Sequence, residues 1–422
     1  MARIVLAVYG SYGDVYPFLA VARSLTAAGH TAVIAAPEKY RSLVEGAGVE
    51  FGAVRPDVSE DDTELYRRVM EPKRGPEVLV REVLTPALRD SYRDLDAICE
   101  GADLIVSHVL TYSAPIIAER RALPWAGAVL SPMIFMSAHD PPALSTIPAF
   151  AKLRVLGPRA VGTLWRLMSK ISWSWGEPVR ALRKEIGLPP GGDPLWGSLE
   201  RANIVLALFS ESLAPSRPDW PASTVQCGFP FYDHDYGGGA SRDRLAAFLD
   251  DGEPPIVFTL GSSAVMVEGG FYGVAVEALQ RLSHRGVLVT GADVRPSIED
   301  DRILCIESAA VHELFPRARV NVHAGGVGTI GQALRAGRPQ LVVPFAHDHF
   351  DNARRATLAG CSRVLPKRRL NASRLAAELE RILHSSALTD AAERVASTIR
   401  TEDGAQRACD ALETALTAHL MN

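Results

Sequence analysis

A chain of 422 residues, 47% hydrophobic and 22% charged, is long enough for two or three buried cores. Its formal net charge of −4 gives nucleic acid no basic track to follow, and its five scattered cysteines, with no CxxC pair, argue for a reducing cytoplasm and against structural zinc or a disulfide frame. No apolar run reaches the roughly 18 residues that a membrane span needs, and Asp14 interrupts the N-terminus too early for a signal peptide. From the N-terminus, Arg3 to Tyr9 (RIVLAVY) is an apolar run of the kind buried on both faces of a parallel sheet. The loop Gly10-Ser11-Tyr12-Gly13-Asp14 follows, then a helical pattern from Val15 to Ala28 closed by Gly29. Thr31–Ala36 and Gly48–Val54 extend the β-loop-α-β beginning.

Residues 57–100 are mostly helical and charged. Ala102–Ser107 is the next buried strand, ending at His108, and Trp125–Leu130 is another. A Pro-rich aromatic stretch begins at Ser131, and two helical segments follow with Trp165, Trp173 and Trp175 among basic residues. Asn203–Phe209 is the expected last strand of this half. The stretch 214–240, with four prolines and Gly237-Gly238-Gly239, has the composition of a linker. After it come strands at Pro255–Leu260, Val287–Thr290 and Ile303–Ile306, and a helix at Phe271–Ser283. The tail is Ala-rich and helical. The pattern predicts an α/β protein: two Rossmann-like doubly wound domains facing across a cleft, residues 1–228 and 229–400, with a helix at 401–422 packing back on the first.

The stretch from Val320 to Asn352 carries the clearest chemistry. A short apolar strand leads to His323, a glycine-rich turn (Gly325, Gly326, Gly328), a helical pattern from Thr329 to Ala336, and a second strand at Leu341–Pro344. Glycines let the backbone approach a ligand, and a helix start presents unpaired N–H groups and a positive dipole end. These are the requirements of a phosphate site. The second strand ends in His347-Asp348-His349, polar groups suited to sugar hydroxyls.

Two sets of residues resemble one family. His323-Ala324-Gly325-Gly326-Val327-Gly328-Thr329, Ala336-Gly337-Arg338-Pro339, Pro344 and Asp348-His349-Phe350-Asp351-Asn352 are similar to the donor signature of the family 1, GT-B nucleotide-sugar glycosyltransferases. These include plant UDP-glycosyltransferases and bacterial antibiotic and sterol glycosyltransferases. GSYGDVYPFLAVARSLTAAGH resembles the acceptor-domain signature of the bacterial members. The resemblance implies an inverting transfer of a hexose from UDP or dTDP to a hydroxyl of a small apolar acceptor, with no metal and no other cofactor. It places Asp14 at the catalytic base and His108 at the position of its partner, with the usual His-then-Asp order exchanged. It places Ser11, Ser262, Ser263, His323, Gly326, Gly328 and Thr329 on the donor diphosphate, Val311 and Gln332 near the nucleoside, and Asp348 and His349 on the sugar.

Each assignment has a plainer rival. Asp14 could simply cap the helix expected at Val15. Ser263 could be ordinary turn chemistry. His347 and His349, if alternate residues on a strand, would share a face and could ligate a metal. Asp233-His234-Asp235 imitates a metal-binding DxD in a linker, which makes it a chance match. The sequence also departs from the family: His349 stands where a glutamine is usual, and Gly331 where an acid meets the ribose, with Gln332 beside it. Phe135, Met136 and Trp173 are the candidates for an apolar acceptor pocket. The rival functions are a peripheral sterol or lipid glycosyltransferase, a sugar-nucleotide epimerase of the same fold, and a non-enzymatic subunit that binds sugar nucleotides. The expected partners are the small acceptor and the nucleotide sugar, with no nucleic acid and no membrane insertion, in a monomer or homodimer.

Overall fold

The computed structural model describes residues 1–59, 62–233, 240–292, 294 and 296–420. The chain divides into two compact units. The first comprises 1–69, 73–232 and 402–422, and the second 70–72 and 233–401.

The first unit is built on seven parallel strands: β1 (Arg3–Ala7), β2 (Thr31–Ala36), β3 (Glu50–Ala53), β4 (Leu104–His108), β5 (Trp125–Val129), β6 (Ile204–Ala207) and β7 (Thr224–Gln226), in the order β3-β2-β1-β4-β5-β6-β7. The central strands are apolar on both faces because helices cover both. Ile4, Val5 and Leu6 of β1 are fully buried, each contributing roughly 1.5–3 kcal/mol of transfer free energy. The helix Tyr12–Ala27 follows β1, and the terminal helix Gly404–Leu420 packs against it. His30 Nε2 lies 3.0 Å from Glu413 Oε1 across that contact. From β1 the sheet runs one way through β2 and β3 and the other way through β4 to β7. The chain therefore reverses its order between β1 and β4, where a doubly wound sheet leaves a crevice at its carboxyl ends.

The second unit repeats the plan with six parallel strands: β8 (Ile256–Thr259), β9 (Gly286–Val289), β10 (Ile303–Ile306), β11 (Val320–His323), β12 (Gln340–Val342) and β13 (Ser362–Val364), ordered β10-β9-β8-β11-β12-β13. Here the order reverses between β8 and β11, with Thr259 and His323 as register partners at the strand ends. The helix Ser386–Ile399 packs on the helix Val327–Ala336. Arg400 ties the two by donating to the carbonyls of Arg335 (2.9 Å) and Ala336 (3.1 Å).

Three sequence expectations change. Residues 214–232 are not a linker, since they supply β7 and belong to the first unit. The strand β13 was not anticipated. The helix expected from Val15 begins at Tyr12, with Ser11 at its cap. Gly237–Gly239, together with His234 and Asp235, lies outside the described residues. No helix among the described residues is long and apolar enough to cross a membrane.

Candidate active site

At the reversal point of the first unit, Asp14 reaches back to its own helix cap. Ser11 donates to Asp14 Oδ2 from its backbone N–H at 2.6 Å and from its hydroxyl at 3.0 Å. The cap role and the proposed chemical role are thus carried by different oxygens. Oδ2 holds the turn, while Oδ1 points at His108 Nε2, 3.9 Å away. That distance is an ion-pair contact and longer than a hydrogen bond, so the two groups expected within hydrogen-bond reach stand slightly apart. Gly10 makes the arrangement possible. Its φ is +148°, and a Cβ there would sit 2.2 Å from Asp14 Oδ2. The Tyr40 hydroxyl donates to the Gly10 carbonyl at 2.8 Å.

His108 closes β4 and is nearly buried. Its Nδ1 is 2.8 Å from the Tyr9 carbonyl. A carbonyl only accepts, so Nδ1 carries a proton, and in the neutral ring Nε2 holds the lone pair facing Asp14. The Phe18 ring meets the imidazole edge-on, with centroids 6.2 Å apart. Asp14, with 26% of its side chain exposed, is the more accessible of the pair; His108 shows 7%.

The acceptor candidates are not brought together. Met136 is buried in a core with Phe150 and Val161, which corrects its assignment to the pocket. Phe135 is stacked on Trp220, centroids 4.1 Å apart. Trp173 is half exposed under the Arg180 guanidinium, whose Cζ is 4.3 Å from the ring centroid. A cavity of about 230 Å³ does reach Ser107 and His108, but it runs beside the helix Ser113–Arg121 and is lined by Trp125, Arg180 and Arg183 rather than by these three residues.

At the reversal point of the second unit, Gly326 caps the helix Val327–Ala336, with Gly328 and Thr329 in its first turn. The short helix Gly261–Ala264 that follows β8, holding Ser262 and Ser263, runs alongside. A Cβ on Gly261 would lie 3.5 Å from Thr329 Oγ1. The start of the helix Val327–Ala336, with its unpaired N–H groups and the Thr329 hydroxyl beside Gly261, is therefore a place suited to an anion. Gly325 has φ +96°, and a Cβ on it would stand 2.8 Å from Val342 Cγ1. Gly325→Ala is expected to destabilise the protein by about 2 kcal/mol, combining backbone strain and overpacking, and to weaken diphosphate binding. Denaturant unfolding and titration with dTDP check both.

His323 ends β11 and lies deeper than its expected role suggests. It is fully buried, with Nε2 3.0 Å from Gln340 Oε1. Burial, the largest cause, pushes its pKa down to about 4. Gln340 fixes the ring at the end of β11 beside the glycine turn, and Nδ1 has no partner among the described residues.

His349 differs too. It opens the helix His349–Leu358, capped by Asp348, and does not lie on a strand. The shared strand face that would pair it with His347 for a metal does not exist; His347 itself sits in a turn with φ +48°. Among the described residues no group of three or more His, Cys, Asp or Glu is placed to hold a metal. His349 is buried against the glycine turn, 3.7 Å from the Cβ position of Gly326, and burial pushes its pKa down to about 4. Asn352, which the sequence assigned no role, donates to the Gly325 carbonyl (3.0 Å) and to Asp348 Oδ2 (2.7 Å). It couples the sugar-side acid to the phosphate-side turn.

On the nucleoside side, Val311 begins a short helix, and Gly331 is buried. Gln332 is engaged on both ends of its amide: Nε2 donates to Asp233 Oδ1 (3.3 Å), and Oε1 accepts from Arg335 Nη2 (2.9 Å). Arg335 grips Asp233 with both terminal nitrogens at 3.0 and 2.6 Å. Burial alone would raise the Asp233 pKa, but the Arg335 contact brings it below the ordinary value. Asp233 thus orders Gln332 and Arg335 on the helix Val327–Ala336.

The comparisons with known proteins fit these two sites. The chain matches the model for the Glycosyltransferase family 28 N-terminal domain over residues 4–134, and that for the Erythromycin biosynthesis protein CIII-like C-terminal domain over 276–413. It is 34% identical over 396 residues to O-mycaminosyltylonolide 6-deoxyallosyltransferase of Streptomyces fradiae, covering 89% of each chain. The chain belongs to the family 1 glycosyltransferases of GT-B fold. This glycosyltransferase, of antibiotic type, is also 28% identical over 361 residues to glycosyltransferase GtfE of Amycolatopsis orientalis, covering 82% of this chain and 81% of that one. Its fold is shared with the kitacinnamycin glycosyltransferase (TM-score 0.75, 19% identity, 98% and 99% of the two chains). It is shared also with the calicheamicin glycosyltransferase CalG4 (TM-score 0.69, 19% identity, 99% and 98%).

Proposed function

We propose that this glycosyltransferase moves a deoxyhexose from a dTDP-linked donor to a hydroxyl of an apolar natural product of the macrolide class, with inversion at the anomeric carbon. The reading rests on one observation above the others: Asp14 keeps Oδ1 directed at His108 while Ser11 holds Oδ2. Asp14 Oδ1 takes the acceptor proton. The acceptor oxygen bonds to the sugar C1 as the bond from C1 to the diphosphate breaks, and the charge of the leaving diphosphate is met by the N-terminus of the helix Val327–Ala336 without a metal. Asp348, held by Asn352, and His349 face the sugar. Supporting the donor are the name of the S. fradiae relative, a 6-deoxyallosyltransferase, and the thymidine diphosphate complexes among the similar structures, SsfS6 and SpnG, each with TM-score 0.66. Free thiols on all five cysteines suit work in the cytoplasm.

A thermal-shift panel tests the donor side. dTDP and dTDP-hexoses are expected to raise Tm more than UDP-glucose, because a ligand at a hundredfold its Kd adds about 2.7 kcal/mol. No shift with any nucleoside diphosphate would overturn the donor assignment. Turnover should also survive EDTA, and a loss restored by Mg²⁺ would overturn the metal-free part.

A further inference from the structure

One segment of the first unit serves neither site. Residues 141–176 contain no acidic residue and five basic ones: Lys152, Arg154, Arg159, Arg166 and Lys170. This stands out in a chain whose net charge is −4. Elsewhere arginines are commonly paired: Arg41 with Glu38 and Glu45, Arg55 with Asp90 and Asp94, Arg183 with Glu119. The five cations here are all exposed, and among the described residues none meets a carboxylate. Arg166 bonds only the Gly162 carbonyl and the Thr163 hydroxyl.

The same segment exposes its large aliphatic residues. Val155 is 83% exposed, Ile171 74%, Leu156 59% and Leu167 57%. The helix Pro158–Ser172 shows how this comes about. Val161, Leu164, Trp165 and Met168 pack inward on Phe150 and Met136. At 3.6 residues per turn, Arg159, Arg166 and Lys170 then share an outward stripe, with Leu167 and Ile171 alongside. Core packing satisfies one face only. The other is half cationic and half aliphatic, and neither half has a partner among the described residues.

We propose that this face docks on an anionic lipid surface. Aliphatic side chains enter the boundary between headgroups and acyl chains, while arginines and lysines reach lipid phosphates around them. The charge sign selects the occupant. Five cations without carboxylate partners repel a second copy of the same face, whereas an anionic bilayer complements them. This is peripheral binding, independent of the donor and acceptor readings above, and it would bring the enzyme to apolar acceptors dissolved in the membrane.

The test is co-sedimentation of the full chain with large vesicles of phosphatidylcholine, with or without about one-third phosphatidylglycerol. The protein is expected to pellet with the anionic vesicles and to stay in solution with the neutral ones. Arg166→Glu with Lys170→Glu should lower partitioning at least roughly 30-fold, since each basic residue near such a surface contributes about fivefold. Leu167→Gln with Ile171→Gln should lower it at unchanged salt dependence. Both double variants should keep wild-type Tm and turnover of a soluble acceptor, which shows that they fold. Absence of pelleting with anionic vesicles overturns the proposal. So does pelleting that both variants retain, or a dimer that the same variants dissolve, which would mean that a second copy covers the face.

Discussion

Asp14→Asn is expected to lower kcat by roughly 10²–10⁴-fold while leaving donor KM within about threefold. Asparagine keeps the shape of the side chain. Its amide oxygen can accept from the Ser11 N–H and hydroxyl as Oδ2 does now, so the turn and the helix start survive. What is lost is the anionic oxygen facing His108, and with it the group that takes the acceptor proton. The amide N–H₂ would instead turn toward His108 Nε2 and occupy its lone pair, which also prevents the imidazole from standing in. The cost to stability should be small, about 0.3–1 kcal/mol for a charge lost at a helix N-terminus, so the drop in rate cannot be blamed on unfolding. Asp14→Ala removes its half of the capping box with Ser11 as well and should add about 1 kcal/mol of destabilisation. Steady-state kinetics with a fixed donor and acceptor pair, beside thermal unfolding, separate these effects. If Asp14→Asn turns over within a fewfold of wild type while His108→Gln is inactive, His108 is the base and Asp14 only the cap.

How much of this was legible in the sequence depends on burial. The strands that form the two reversal points, β1, β4, β8 and β11, announce themselves as apolar runs because both of their faces are covered. Finding them also locates Asp14, His108 and the glycine turn. β7 and β13 are three-residue edge strands with partly exposed, mixed composition, and no periodicity is readable over three residues. The prolines of 214–232 suggested a linker, although an edge strand tolerates such neighbours. Ser11-Tyr12-Gly13-Asp14 carried a capping signal that the later apolar residues obscured. The depth of His323 and His349 was not readable for a different reason. Residue type suggests a polar role for both rings, whereas how far each is buried is set by packing of the whole second unit. Met136 was misplaced for the same reason, since helical and turn spacing show which residues are neighbours but not which side they face.

The burial of those two histidines has a measurable consequence. In the unfolded chain both rings take up a proton near pH 6.5. In the folded protein burial holds both pKa values down to about 4, with His349 adding a small electrostatic push on His323. Between these values the unfolded state binds more protons than the native state, so stability rises with pH across the window. The contribution of the neutral rings is complete above about pH 6.5, is lost progressively as the pH falls, and changes no further below about pH 4. Each tenfold loss of proton affinity on folding corresponds to about 1.4 kcal/mol, so each ring accounts for roughly 3 kcal/mol. Glu402 acts in the opposite direction, since burial raises its pKa and acid therefore favours its folded form. A comparison of variants removes that background. His349→Gln should flatten the stability profile between pH 6.5 and 4 by about one proton, roughly 1.4 kcal/mol per pH unit, and leave the profile above pH 7 parallel to wild type. Denaturant unfolding across that range is the measurement. Parallel profiles throughout would show that His349 titrates alike in both states and is not enclosed beneath the glycine turn. A flattened profile in a variant that still binds dTDP would mean that the ring's burial, rather than any contact with the nucleotide, is what makes the second unit acid-sensitive.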